Sequence, residues 1–215
     1  TMAIERGLVQ PKEPNLVVFD SPAGPVRARA LLSGRTGEGG PGRRVGRVSF
    51  DNVPSFVFAP GLPVRVGTRE IRVDVAFGGA FYAIVDAEAA GLPIAPARLP
   101  ELRRVGMEIK HAVEAALAVV HPLDGGLSGI YGTIFTGPPE RSDADLRNVT
   151  IFADAEVDRS PCGTGTCAVM AVVDAMGLLP ADRAFGHESL IGTLFSGRIT
   201  GRTRVAGFDA ILPEL

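Results

Sequence analysis

Between Thr166 and Met176 nearly every residue is apolar, and Asp174 carries the only charge. A helix with that pattern has no solvent face, so the rest of the chain must supply walls that enclose it. Most of the remaining sequence reads as strands and turns. Glu70-Ile71-Arg72-Val73-Asp74-Val75 alternates cleanly, with one face buried and one wet. Leu16–Phe19 and Val26–Leu32 form a hairpin across Ser21-Pro22-Ala23-Gly24-Pro25. Val45–Phe50 and Phe56–Phe58 continue the pattern, and Phe77–Val85 reads as one buried strand entered through a glycine kink. Further strands are expected over Leu127–Phe135 and Asn148–Val157, with a last hairpin of Leu190–Phe195 and Ile199–Val205 around Ser196-Gly197-Arg198. A second helix begins near Pro100, where Leu102, Val105, Ile109, Val113, Leu117 and Val120 make one apolar stripe that packs on a sheet. The sum is an α+β fold in which mostly antiparallel strands wrap around a helix.

A chain of 215 residues, 46% hydrophobic, can bury a core as one domain or two small ones. Its 22 basic and 24 acidic residues leave a net charge of −2, so nothing marks nucleic acid or an anionic membrane as its partner. A small molecule is the expected ligand. The apolar run around Ala112–Val120 falls well short of the roughly 20 residues a bilayer crossing needs, so no membrane span is expected. Two cysteines cannot supply a disulfide framework and no targeting pattern is visible, which points to the cytoplasm. No His, Cys, Asp or Glu spacing matches a metal site.

The segment Ser33–Arg44, rich in Gly and Arg, reads as an exposed hairpin tip or an interdomain linker rather than a phosphate-gripping loop. It sets a boundary between residues 1–44 and 45–215. The chain opens on Thr1-Met2-Ala3-Ile4-Glu5-Arg6-Gly7, which reads like the back half of a helix closed by Gly7, as after an N-terminal truncation. Gly7-Leu8-Val9-Gln10-Pro11 and Gly177-Leu178-Leu179-Pro180 resemble each other, and each precedes a hairpin. If the halves are duplicated, the counterpart of Cys162 lies upstream of residue 1.

Chemistry concentrates in Asp158-Arg159-Ser160-Pro161-Cys162-Gly163-Thr164-Gly165-Thr166. Cys162 stands at the mouth of the apolar helix, where free N–H groups and the positive end of the dipole favour a thiolate and hold an anion. Gly163 and Gly165 let a ligand approach the backbone. Asp158 reads equally as a solvated turn residue or as a group facing the same pocket, able to pair with an ammonium. Cys167, one turn into the helix, reads as a small buried hydrophobe. Five residues of helix point the two sulfurs apart, so no disulfide joins them. His187 and Glu188, near a strand start after this helix, read as structural groups. Gly163 to Ala168 also fits a loose dinucleotide fingerprint, but antiparallel hairpins surround it where a parallel sheet is required.

The stretch from Asp158 to Thr166 resembles a signature of the proline racemase and 4-hydroxyproline epimerase family. Further likeness runs through Gly7-Leu8-Val9 with Glu13-Pro14, Ser21–Gly24, Phe77-Gly78-Gly79, Tyr131-Gly132-Thr133, Arg147-Asn148-Val149 and Glu188–Thr193. The resemblance implies a diaminopimelate-epimerase-like fold of two pseudo-symmetric lobes, each giving one cysteine to a site between them. It implies a cofactor-independent reaction in which one thiolate takes the Cα proton while the opposing thiol protonates the other face. Carried over, Cys162 is one acid/base, Gly163 and Thr164 bind the carboxylate through their amides, and Asp158 binds the ring nitrogen. Phe81 or Tyr82, with Phe152, would wall the ring. The first signature, with its own cysteine, is absent, so this polypeptide alone is expected not to racemise, and its first lobe is incomplete; a homodimer is left open. Related trans-3-hydroxyproline dehydratases carry threonine at the position of Cys162, so the cysteine favours inversion. Dehydration, or non-catalytic binding of a small anion or nucleotide, are the rival readings.

Overall fold

Alternating and doubly apolar strands dominate the chain as they dominate its sequence. The computed structural model describes residues 2–6, 8–9, 13, 15–33, 44–180 and 182–215. In order they form α1 (Met2–Glu5), β1 (Leu16–Ser21), β2 (Gly24–Ser33), β3 (Arg44–Asp51), β4 (Ser55–Val66), β5 (Arg69–Phe77) and β6 (Phe81–Asp86). A 3-10 turn at Pro96–Arg98 leads into α2 (Leu99–Ala116). Then come β7 (Val120–His121), β8 (Asp124–Ser128), β9 (Gly132–Gly137), β10 (Leu146–Phe152), β11 (Glu156–Val157), α3 (Gly163–Ala175), β12 (Phe185–Ser189), β13 (Leu194–Val205) and β14 (Phe208–Glu214). Gly7 and the tip of the Gly/Arg segment, residues 34–43, lie outside the described residues; the flanking Ser33 and Arg44 pair with each other, so that segment joins a hairpin.

The main sheet runs β1-β2-β3-β14-β13-β12-β10-β9-β6-β5-β4, and β4 also pairs β14 through Phe56↔Ala210 and Ser55↔Ile211. From β14 round to β4 the sheet therefore curls until its two ends meet. The pairs are antiparallel except β6 with β9 and β10 with β12. The meander β1–β3 extends from this curl through Asp51↔Glu214, and the boundary at residues 44/45 falls after the first residue of β3, which pairs along its length with β2.

The two long helices take opposite faces. The stripe Leu102, Val105, Ile109 and Val113 of α2 packs on the outer face of the curl against Phe56, Val73, Val75, Phe81, Phe135 and Ile151. Full burial of one such side chain, as at Ile109, contributes about 1.5–3 kcal/mol. The stripe ends there: α2 stops at Ala116, and Val120 is exposed at the start of a small separate hairpin. Helix α3 lies within the curl, enclosed by β4, β5, β6, β13 and β14 and buried continuously from Gly165 to Val172 beside Ala76, Tyr82, Ile84, Ile134 and Phe185. Successive residues of a strand point to opposite faces, so β6 sends Phe81 outward to α2 and Tyr82 inward to α3.

Several strand boundaries differ from the sequence reading. Phe77–Val85 is a β5–β6 hairpin turning at residues 78–80, Leu127–Phe135 is split between β8 and β9, and Asn148–Val157 is the hairpin β10–β11. The last hairpin turns at residues 190–193, and Ser196-Gly197-Arg198 lies inside β13. Gly197 is there for clearance, not for a turn: a Cβ on it would meet Met170 Sδ at 2.5 Å and Leu215 Cδ2 at 2.8 Å. A final strand, β14, follows and carries the closure of the curl. Among the described residues, no helix is long and apolar enough to cross a membrane.

Candidate functional site

Cys162 caps the N-terminus of α3 with φ +65° and ψ 117°, a left-handed conformation rarely adopted by a residue with a side chain. Holding a non-glycine residue there costs about 1–3 kcal/mol and persists only where the surroundings fix it. Its amide donates to Ser160 Oγ at 3.1 Å, and Ser160 N donates to Asp158 Oδ1 at 2.8 Å, so the turn before the helix is tied by its own side chains. Gly163 and Thr164 begin α3, where the helix itself supplies no acceptor for their amides, and both are half-buried.

Tyr82 reaches from β6 across the inner face of the sheet. Its hydroxyl is 3.5 Å from Cys162 Sγ and 2.6 Å from Thr164 Oγ1. The Tyr131 ring stands edge-on to Tyr82, with centroids 5.7 Å apart, and stacks on Phe152 at 5.6 Å. Phe50 of β3 lies over the helix mouth, 3.3 Å from where a Cβ on Gly163 would be. Cys162, Asp158, Gly163, Thr164, Tyr82 and Phe152 are thus brought to one surface. Phe81 is not among them, because it packs edge-on to Phe56 and Phe58 and tilted against Phe77 on the α2 side. Tyr131 and Phe50 were not singled out from the sequence. Tyr131 sits in the quoted Tyr131-Gly132-Thr133 run, and its 48% exposure for a large aromatic marks it as available.

The electrostatics correct one expectation. Cys162 is only 7% exposed, and burial pushes its thiol above the ordinary range. Hydrogen bonds from Tyr82, the Gly165 amide and Thr164 pull the other way, while the nearby charge of Asp158 adds to the rise. The helix mouth therefore does not leave a thiolate at rest; the chain presents a protonated Cys162. Burial likewise pushes up Tyr82, next to Cys162, and the wholly buried Cys167, which fills the small-hydrophobe role expected of it.

Behind Cys162 lies a second buried group. His187 on β12 is fully buried, and burial lowers its ring to about 3 from the usual 6.5. The unfolded chain then binds a proton between those values that the folded chain refuses, so this contribution to stability is complete above about pH 6.5 and is lost as pH falls toward 3. Denaturant unfolding is expected to show a loss of about 1.4 kcal/mol per pH unit below 6.5, and the slope should shrink in His187→Asn. His121, also lowered by burial, adds a smaller contribution of the same sign. Glu188 is buried too, accepting from the amides of Glu140 and Arg141 at 2.8 and 3.1 Å, which is the structural role read for it.

Grooves of about 390, 600 and 480 Å³ lie elsewhere, and none is lined by Cys162, Gly163 or Thr164. Cys162 itself is nearly enclosed, covered on one side by Tyr82 and Thr164. Among the described residues, no cluster of His, Cys, Asp or Glu could hold a metal ion.

The family model for proline racemase matches the whole chain, residues 1–215. The chain belongs to the proline racemase family. Within that family it is 44% identical over 216 residues to a trans-3-hydroxy-L-proline dehydratase of Bacillus cereus, covering 100% of this chain and 62% of that protein. It is 40% identical to a 4-hydroxyproline 2-epimerase of Ancylobacter novellus, with the same coverage. A solved hydroxyproline epimerase from Agrobacterium vitis, with bound trans-4-hydroxy-L-proline, matches with a TM-score of 0.87 at 35% identity, covering 100% of this chain and 60% of that one. The chain thus spans less than two thirds of these proline racemase family members. The mixed, sheet-dominated architecture is the diaminopimelate-epimerase-like fold that the signature implied.

Proposed function

We propose that this chain carries one half of the proton-transfer machinery of a cofactor-independent racemase or epimerase acting on proline or 4-hydroxyproline. The observation that carries the reading is Cys162 Sγ, held in a strained cap at the mouth of α3 beside the amides of Gly163 and Thr164. A carboxylate bound by those amides lies against the positive end of the helix. Asp158, whose charge acts on Cys162, would pair with the ring nitrogen, and Tyr82, Tyr131 and Phe152 offer aromatic walls. With both charges gripped, the Cα–H faces the sulfur, the orientation that proton abstraction from a weak carbon acid requires.

In such a cycle the deprotonated sulfur takes the Cα proton, leaving the electron pair delocalised into the carboxylate, and a second acid protonates the opposite face. The resting thiol of Cys162 suits the protonating half; hydrogen bonds from Tyr82 and Gly165 stabilise the thiolate in the reverse direction. Cys167 cannot be the second acid, since it is fully buried one turn further along α3. Inversion therefore needs a group beyond this chain's two cysteines, and the chain alone exchanges Cα–H without inverting it. The two thiols in this chain are free, in keeping with a cytoplasmic protein.

The similarity to trans-3-hydroxy-L-proline dehydratase supports a second reading, loss of water from a 3-hydroxyproline after the same Cα deprotonation. Incubation of the chain with proline, 4-hydroxyproline and 3-hydroxyproline in deuterated water separates the two. Deuterium at Cα of proline or 4-hydroxyproline with retained configuration is the expected result. A ketimine-derived product from 3-hydroxyproline would favour dehydration, and inversion at rates typical of an intact racemase would contradict the one-sided site.

A further inference from the structure

His187 is the one fully buried imidazole among the described residues, and it faces no charged partner. Its hydrogen bonds all lead to the same place. Nδ1 lies 2.9 Å from Thr166 Oγ1, and Nε2 lies 2.8 Å from Asn148 Nδ2. Thr166 Oγ1 and Asn148 Nδ2 in turn donate to the carbonyl of Pro161, at 3.1 and 3.2 Å. The network closes with a neutral ring: Nδ1–H donates to Thr166, whose hydroxyl hydrogen goes to Pro161, while Nε2 accepts from Asn148. Both lone pairs of the Pro161 carbonyl are thus occupied by buried side chains that His187 aligns.

That carbonyl belongs to the peptide immediately before Cys162, and the N–H of the same peptide is held by Ser160 Oγ at 3.1 Å. The peptide plane is gripped at both ends, and its orientation sets the φ of Cys162, which stands at +65°. A strained residue stays strained only when its surroundings over-determine it. Asn148 Oδ1 is the one side-chain oxygen of this network without a hydrogen-bond partner, so the amide is held through its nitrogen. We propose that His187 is a positioning residue: through Thr166 and Asn148 it clamps the Pro161–Cys162 peptide and so aims the thiol at Tyr82 and the helix mouth.

The inference rests on Cys162 being the proton-transfer group, yet its test does not require turnover. Iodoacetamide alkylation of Cys162, followed by mass spectrometry of the 215-residue chain, reads the thiol directly, because Cys167 is inaccessible while the fold is intact. Thr166→Val keeps the side-chain shape and removes the hydroxyl; His187→Leu removes both ring contacts; His187→Asn restores a donor toward Thr166. Thr150→Val, which deletes a buried hydroxyl without a hydrogen-bond partner on the same strand as Asn148, is the control. Release of the clamp is expected to expose the thiol and raise its alkylation rate about tenfold in Thr166→Val and His187→Leu, the change that one unit of thiol pKa represents. His187→Asn should return most of the way to the wild-type rate, and Thr150→Val should match it. Unchanged rates in Thr166→Val and His187→Leu would overturn the proposal. So would labelling of Cys167 together with Cys162 in Thr166→Val, since the network would then hold the core and not the turn. Failure of proline or hydroxyproline to slow alkylation of the wild-type chain would count against the proposed function alone, leaving the comparison among variants intact.

Discussion

Replacing Cys162 with alanine is expected to lower the rate of deuterium exchange at Cα of proline or 4-hydroxyproline by about 10²–10⁴-fold, the range positioned acid/base groups contribute. Neither tyrosine at the helix mouth can take over: burial raises the Tyr82 hydroxyl out of the range of a useful base, and Tyr131 is shifted in the same direction. Substrate binding should weaken far less, because the Gly163 and Thr164 amides are untouched by the change. Exchange followed by NMR in deuterated water gives the rate, and slowed alkylation in the wild type gives the affinity for comparison. A loss below about tenfold would mean that the sulfur is a bystander, well under what a general acid or base supplies.

Replacing Gly78 with alanine is expected to lower Tm by about 10 °C and to disturb the site at once. A Cβ on Gly78 would collide with the Thr164 carbonyl and come within 2.6 Å of Ala168 N, both backbone atoms of the first turns of α3. Backbone cannot yield as a flexible side-chain end can, so the cost falls at the upper end of overpacking, about 3 kcal/mol. For a chain of this size each kcal/mol moves Tm by about 2–4 °C. Gly125→Ala, where a Cβ meets nothing within 4 Å, is the comparison and should leave Tm nearly unchanged. Because Thr164 also holds Tyr82, displacement of α3 in Gly78→Ala should change the alkylation rate of Cys162. Thermal unfolding that coincides for the two variants would show that the turn between β5 and β6 does not fix the helix.

The parts of the molecule legible in the sequence are those governed by local pattern. The α2 stripe from Leu102 to Val113, the all-round apolar α3, and the turn that sets Cys162 at its mouth all follow from spacing and cap chemistry. The assignment of Cys167 to the core follows from the same helix. Tertiary contact decided the rest. Gly197 and Gly78 look alike as turn glycines, yet Gly197 sits mid-strand because Met170 and Leu215 occupy the space a side chain would need. Phe81 and Tyr82 could not both reach the site, since neighbours on a strand face opposite ways; parity alone excluded one, but only the position of α3 within the curl says which. The thiol's upward shift was hidden for a similar reason. A helix mouth favours the anion, but burial under Tyr82 and Thr164 is a property of the assembled fold, and it prevails.

The claim on which the account turns is that a substrate carboxylate docks on the first amides of α3, directly beside the Cys162 sulfur. Backbone amide NMR of the chain during titration with trans-4-hydroxyproline tests it most directly. The account predicts the largest shifts at Gly163, Thr164 and Gly165, with little response in the groove that Arg29, Arg47 and Arg198 line. Shifts concentrated in that arginine-lined groove, with residues 163–165 unmoved at saturating ligand, would contradict it.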